Sequence, residues 1–205
     1  MSHPTSGLAY VFAYASLVGL DEPFAVGGVE HAPVAGRLGG FGRHWGAAMD
    51  NWASANDHKY FVDPSTGERP HLRVAYLDIE ARQGGSVNGL AIPVDATRLG
   101  VLDAREVNYS RIDVSTAFEP ALGRQVFTYV GTEAARERCR RGAAEGDLFA
   151  SRDYVTAVRR AFELLGPDAL AEFDRMTEPL PFPELDLKLI WPSEGAGQSP
   201  SGPGS

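Results

Sequence analysis

Two stretches of the chain carry residue types that can handle a small polar substrate. The first is Tyr14-Ala15-Ser16-Leu17, which closes an apolar run beginning at Leu8. A strand that ends in small residues leaves its N–H groups unshielded, so a carboxylate or a developing oxyanion can approach them. The same pattern also fits an ordinary N-terminal core strand running into a loop. The second stretch is Leu99 to Val114, where Glu106 falls between a helical pattern and an alternating one. A carboxylate at an element end can be aimed into a cavity by a fixed backbone. It can equally be one more solvated acid in an acidic protein.

Other chemistries fit less well. The five histidines (His3, His31, His44, His58, His71) are spread without ligand spacing, and one cysteine makes no cysteine cluster, so a metal site is not expected. Ser16 stands in Tyr-Ala-Ser-Leu rather than in the G-x-S-x-G elbow of an α/β-hydrolase. Cys139 lies among arginines that lower a thiol pKa, yet a free cysteine is usually a small hydrophobe. The glycine-laced run from Val34 to Met49 lacks the Lys-Ser/Thr ending of a phosphate-binding loop, and is read instead as bulges and sharp bends.

The elements that must position these residues follow from periodicity and caps. Leu8 to Tyr14 reads as the first strand. His71 to Ile79 and Val87 to Val94 read as two more, with a turn at Gln83–Ser86 between them. Asp95 caps a short helix to Glu106, and Val107 to Ser115 and Arg124 to Val130 alternate as strands. Thr132 and Ser151 cap two helices, the second with Tyr154, Val155, Val158, Phe162 and Leu165 along one stripe. Gly166-Pro167 stops that helix and starts another. Asp50 to Pro70 is polar and turn-rich, either a flap over a pocket or an aromatic cluster covering one mouth of a barrel. Strands first and helices last give an α+β fold, a small mixed β-barrel or strongly curved sheet with helices packed around it.

Taken together, Tyr14-Ala15-Ser16-Leu17 and Leu102-Asp103-Ala104-Arg105-Glu106, with Tyr109 behind, resemble the γ-glutamylcyclotransferase family. That family carries a Tyr-Gly-Ser-Leu turn and a Leu-Asp-x-x-Glu motif, here about ninety residues apart. The resemblance continues through Phe127-Thr128-Tyr129-Val130 and Tyr154, and covers residues 8–192. It departs at Ala15, where the family has glycine. A site needing positive φ there would be strained by about 1 kcal/mol or more. The resemblance implies a reaction without water, metal or cofactor, in which the substrate's own α-amine cleaves a γ-glutamyl amide and 5-oxoproline is released. It implies Glu106 as general acid and base, in a pocket lined by Tyr14, Tyr109 and Tyr154. The N–H groups of Ala15, Ser16 and Leu17 would grip the γ-glutamyl half. Asp103 and Arg105 are expected to form a local ion pair or cap rather than act. A non-catalytic binding protein with a relic γ-glutamyl pocket is the competing reading, and Ala15 is its best support.

The 205 residues are 43% hydrophobic with a net charge of −8. That composition fits one domain over residues 8–192, between a flexible segment 1–7 and a Gly/Ser/Pro-rich, disordered tail 193–205. The acidic balance argues against nucleic-acid and anionic-membrane partners and leaves a small γ-glutamyl molecule as the expected one. No window is apolar enough to span a bilayer and no leader pattern opens the chain, so a cytoplasmic protein is expected.

Overall fold

The structure is a computed structural model that describes residues 7–19, 25–26, 29–56 and 59–191. In chain order it runs β1 (Ala9–Ala13), β2 (Ala25–Val26), β3 (Val29–Glu30), β4 (Val34–Asp50), β5 (Tyr60–Val62) and β6 (Arg73–Val94). Then follow α1 (Ala96–Arg105), β7 (Tyr109–Asp113), β8 (Phe118–Glu119), β9 (Val126–Gly131), α2 (Glu133–Glu145) and β10 (Leu148–Ser151). The chain closes with α3 (Arg152–Leu165), α4 (Pro167–Met176), β11 (Glu184–Leu185) and β12 (Lys188–Ile190).

β4 and β6 form the spine, paired antiparallel from Val34↔Ala91 to Asp50↔Arg73. The sequence reading split β6 into two strands at Gln83–Ser86. It is instead one strand with an irregularity there. Gly39 faces Ser86 and Phe41 faces Ala81, so residues 82–85 oppose Gly40 alone, and Gly84 supplies the positive φ of 71° that the bend requires. A second shift falls between Trp45 and Ala47.

The other edge of β6 is taken in two pieces. β10 pairs parallel with Arg73–Ala75, and β1 pairs antiparallel with Leu90–Val94. β9 adds in parallel beside β1, and β7 antiparallel beside β9. The path through this 8-stranded mixed sheet ends at β7 and β11, so among the described residues it does not close into a barrel. β10 lacks the length for a readable period, and the proline-interrupted segment from Pro179 onward contributes β11 and β12.

The helices are capped as the sequence demands. Asp95 accepts from Arg98 N–H, Thr132 from Ala135 N–H and Ser151 from Tyr154 N–H, while Gly146 closes α2 at a φ of 77°. The main core joins Val11, Phe12, Leu38, Ile79 and Ile92 of the sheet to Val158, Phe162 and Phe173 of α3 and α4. Arg43 is buried there without a carboxylate, over the rings of Phe162 and Phe173, donating to Thr177 Oγ1, Asn88 Oδ1 and the Asn88 carbonyl. Burial pushes its guanidinium down to about 9. A smaller cluster of Met49, Phe61, Leu72, Val74, Tyr76 and Leu187 seats a separate ribbon, β5 with β12, against the main sheet. No helix among the described residues is long and apolar enough to cross a membrane. The segment 1–7 (Gly7 apart), the tail 193–205, Leu20–Phe24, Gly27 and Gly28, and Asp57 and His58 within the flap reading lie outside the described residues.

Candidate active site

On β6, Leu77 falls between the stretch paired with β10 and the stretch paired with β1, and tyrosine hydroxyls take its main-chain groups. Tyr109 Oη donates to the Leu77 carbonyl at 2.8 Å, and Leu77 N–H donates to Tyr154 Oη at 3.4 Å. A cavity of about 300 Å³ opens beside this gap. All seven residues singled out in the sequence line it: Tyr14, Ala15, Ser16, Leu17, Glu106, Tyr109 and Tyr154.

Tyr14 ends β1 with its hydroxyl donated to the Tyr129 carbonyl at 2.8 Å, which fixes the ring against β9. Beyond it, Ser16–Gly19 makes a short 3₁₀ turn. Val18 N–H donates to the Ala15 carbonyl at 3.0 Å. The N–H groups of Ser16 and Leu17 precede that bond, so the turn itself offers them no acceptor. No described residue other than glycine has positive φ, so Ala15 sits in the turn without left-handed strain. The concern raised by its replacing glycine does not apply to this backbone.

Glu106 is the C-cap of α1. Its N–H donates to the Leu102 carbonyl at 2.9 Å, and its carbonyl accepts from Tyr109 N–H at 2.8 Å, so one residue ties the helix end to the start of β7. Its side chain is 17% exposed. Burial holds the carboxyl above the ordinary carboxylate range, opposed by Arg105 at 3.4 Å and by Lys59. Burial likewise raises the phenols of Tyr14, Tyr109 and Tyr154, so all three are neutral hydrogen-bonding walls at physiological pH. Tyr154 belongs to the stripe of α3 yet faces the cavity, packing edge-on to Tyr76 with centroids 5.0 Å apart and to Trp45 at 6.1 Å.

Asp103 and Arg105 do not pair with each other. Asp103 accepts from Arg111 at 2.6 Å and from Tyr129 Oη at 2.8 Å, because it faces β7 and β9 while Arg105 turns to Glu106. The sequence reading missed Lys59, Tyr76 and Trp191, which also line the cavity. The segments of Lys59 and Trp191 show no period, and only pairing of β12 with β5 brings residues 59 and 191 together. Among the described residues no group of three His, Cys, Asp or Glu side chains is arranged to hold a metal ion.

No protein-family model and no curated protein matches the sequence. Solved structures do. YkqA from Bacillus subtilis matches with a TM-score of 0.54 at 19% identity, over 85% of this chain and 56% of that one. The chain thus spans little more than half the length of that relative. A protein described as gamma-glutamyl cyclotransferase matches with a TM-score of 0.51 at 15% identity, over 85% of this chain and 90% of that one. The Homo sapiens protein loc79017 gives 0.50 at 15% identity, with the same coverage. At these identities the likeness is one of fold.

Proposed function

We propose that this chain, which has the γ-glutamylcyclotransferase fold, cleaves γ-glutamyl amides by cyclisation. The α-amine of the γ-glutamyl group attacks the side-chain carbonyl carbon, a C–N bond forms, and the amide C–N bond breaks. The products are 5-oxoproline and a free amine or amino acid. Glu106 takes a proton from the attacking nitrogen and returns one to the leaving nitrogen, so atoms and charge balance without water, metal or cofactor.

The observation that carries this reading is Glu106 itself: one largely buried carboxylate with a raised pKa, held by the helix end in a cavity of neutral tyrosines. A base with a pKa nearer the working pH both accepts and releases the proton readily. The small cavity favours a folded substrate whose amine and carbonyl meet, which supplies rate by proximity. The N–H groups of Ser16 and Leu17 are assigned to the anionic part of the γ-glutamyl half.

The test is 5-oxoproline release from γ-glutamyl-alanine, glutathione and a γ-glutamyl alkylamine, by wild type and Glu106→Gln. The amide keeps the size but cannot take a proton, so turnover falls by about 100-fold or more. Equal turnover by the two proteins removes Glu106 from the mechanism. Absence of turnover by wild type on the whole panel favours the binding-protein reading.

A further inference from the structure

Among the described residues no carboxylate is in ion-pair contact with the Lys59 ammonium. Its Nζ lies 5.2 Å from the centroid of Tyr76 and 5.4 Å from that of Trp191, and these rings are the partners its ammonium has among the described residues. It lines the same cavity as Glu106, and the charges that act on it are those of Glu106 and Arg105. Its main chain is held, since Lys59 N–H donates to the Asn56 carbonyl at 3.0 Å and Asn56 Nδ2 donates to the Asp50 carbonyl at 2.8 Å. The pairing Ile190↔Tyr60 then sets Trp191 beside it. A half-buried ammonium without a counter-ion in contact is costly, and this one is held below its ordinary pKa by burial, with Glu106 opposing.

We infer that Lys59, walled by Tyr76 and Trp191, is an anion-binding position that selects γ-glutamyl compounds whose released amine carries a carboxylate. The inference rests on the cyclotransferase reading above. In that reading the γ-glutamyl half brings one carboxylate, and the open N–H groups of Ser16 and Leu17 are assigned to it. A second carboxylate, on the carbon bearing the leaving nitrogen, supplies an anion in direct contact with Lys59. A neutral alkylamine leaves the ammonium unpaired, and a cationic one sets like charges together. The position belongs to the β5–β12 ribbon, apart from the elements that carry Glu106 and Tyr14.

The test compares γ-glutamyl-alanine with γ-glutamyl-alaninamide, which keeps the shape and loses the negative charge. The measurement is kcat/KM for 5-oxoproline release by wild type, Lys59→Met and Lys59→Arg. Wild type prefers the carboxylate by about 10- to 100-fold, chiefly through KM, as expected for a charge-assisted hydrogen bond. In Lys59→Met that ratio collapses to about one, and Lys59→Arg restores most of it. A wild type that turns over both substrates equally well overturns the inference and leaves the cyclotransferase reading intact. A Lys59→Met variant that loses the same factor on both substrates overturns it too, and places the cation on the γ-glutamyl half. Absence of release from either substrate by wild type overturns the parent reading, and this inference with it.

Discussion

Glu106 is held where ionisation is unfavourable, and that has a consequence for stability as well as for the proposed catalysis. Its carboxyl titrates above the usual 4.5 because burial penalises the anion. The folded chain therefore prefers the protonated group. No penalty exists below the unfolded pKa, and stability is lost as pH rises through the raised folded value. Glu106→Gln abolishes that loss, so its melting temperature exceeds wild type at pH 8, and the gain vanishes by about pH 4. Thermal melts at the two pH values check it, and a gain that persists at acidic pH refutes the buried-charge account. The residues that the cavity brings together were largely legible: Tyr14, Ser16, Glu106 and Tyr109 stand in short patterns, and the cap of α1 fixes where Glu106 lies. Lys59 and Trp191 were not. A lysine in a polar loop and a tryptophan near a proline carry no period, and their meaning arises only from a ribbon pairing across 130 positions.

At the level of elements, β1 must lie close against β6 for the turn after it to reach the cavity. Gly89 allows that approach. A Cβ there would stand 2.2 Å from the Ala13 carbonyl and 2.8 Å from the Phe12 ring, and its φ is not in the left-handed region, so the constraint is space alone. Gly89→Ala therefore pushes β1 outward. The expected result is a loss of about 1–3 kcal/mol in denaturant unfolding, with a raised KM because Ser16 and Leu17 follow the displaced strand. A variant with unchanged stability and KM shows that β1 can slide without cost. Helices and caps were readable because capping chemistry is local. The continuity of β6 was not, since Gly84-Gly85 carries the same turn signal whether the chain reverses or only kinks. β10, too short for periodicity, owes its strand state to the parallel partner it finds at Arg73–Ala75.

Across the whole molecule, the buried clusters separate what holds the fold from what completes the cavity. The main cluster joins β1, β4, β6, β9, α3 and α4, whereas β12 touches the rest through the smaller cluster and its pairing with β5. A chain ending at Leu187 loses β12 and Trp191 but keeps the main cluster. It is expected to melt cooperatively, about 2–8 °C below wild type, with KM for γ-glutamyl-alanine raised about tenfold. Circular dichroism with steady-state kinetics checks both parts. An unfolded truncated chain refutes the division, and an unchanged KM removes Trp191 from the site. Mixed α+β architecture was legible from the order of patterns, but whether the sheet closes depends on pairings between its two ends, which no local signal encodes.

That division also bears on how such a protein can change. Among the described residues the ribbon pairs with no strand of the main sheet, while Glu106 and the tyrosines hang from α1, β1, β7 and α3. One wall of the cavity can thus be rewritten in two three-residue strands and their flanks without disturbing the peptide groups that hold the other. A lineage drifting toward a new ligand, or a designer choosing one, can work on an interchangeable part while Glu106 and the tyrosines stay as they were.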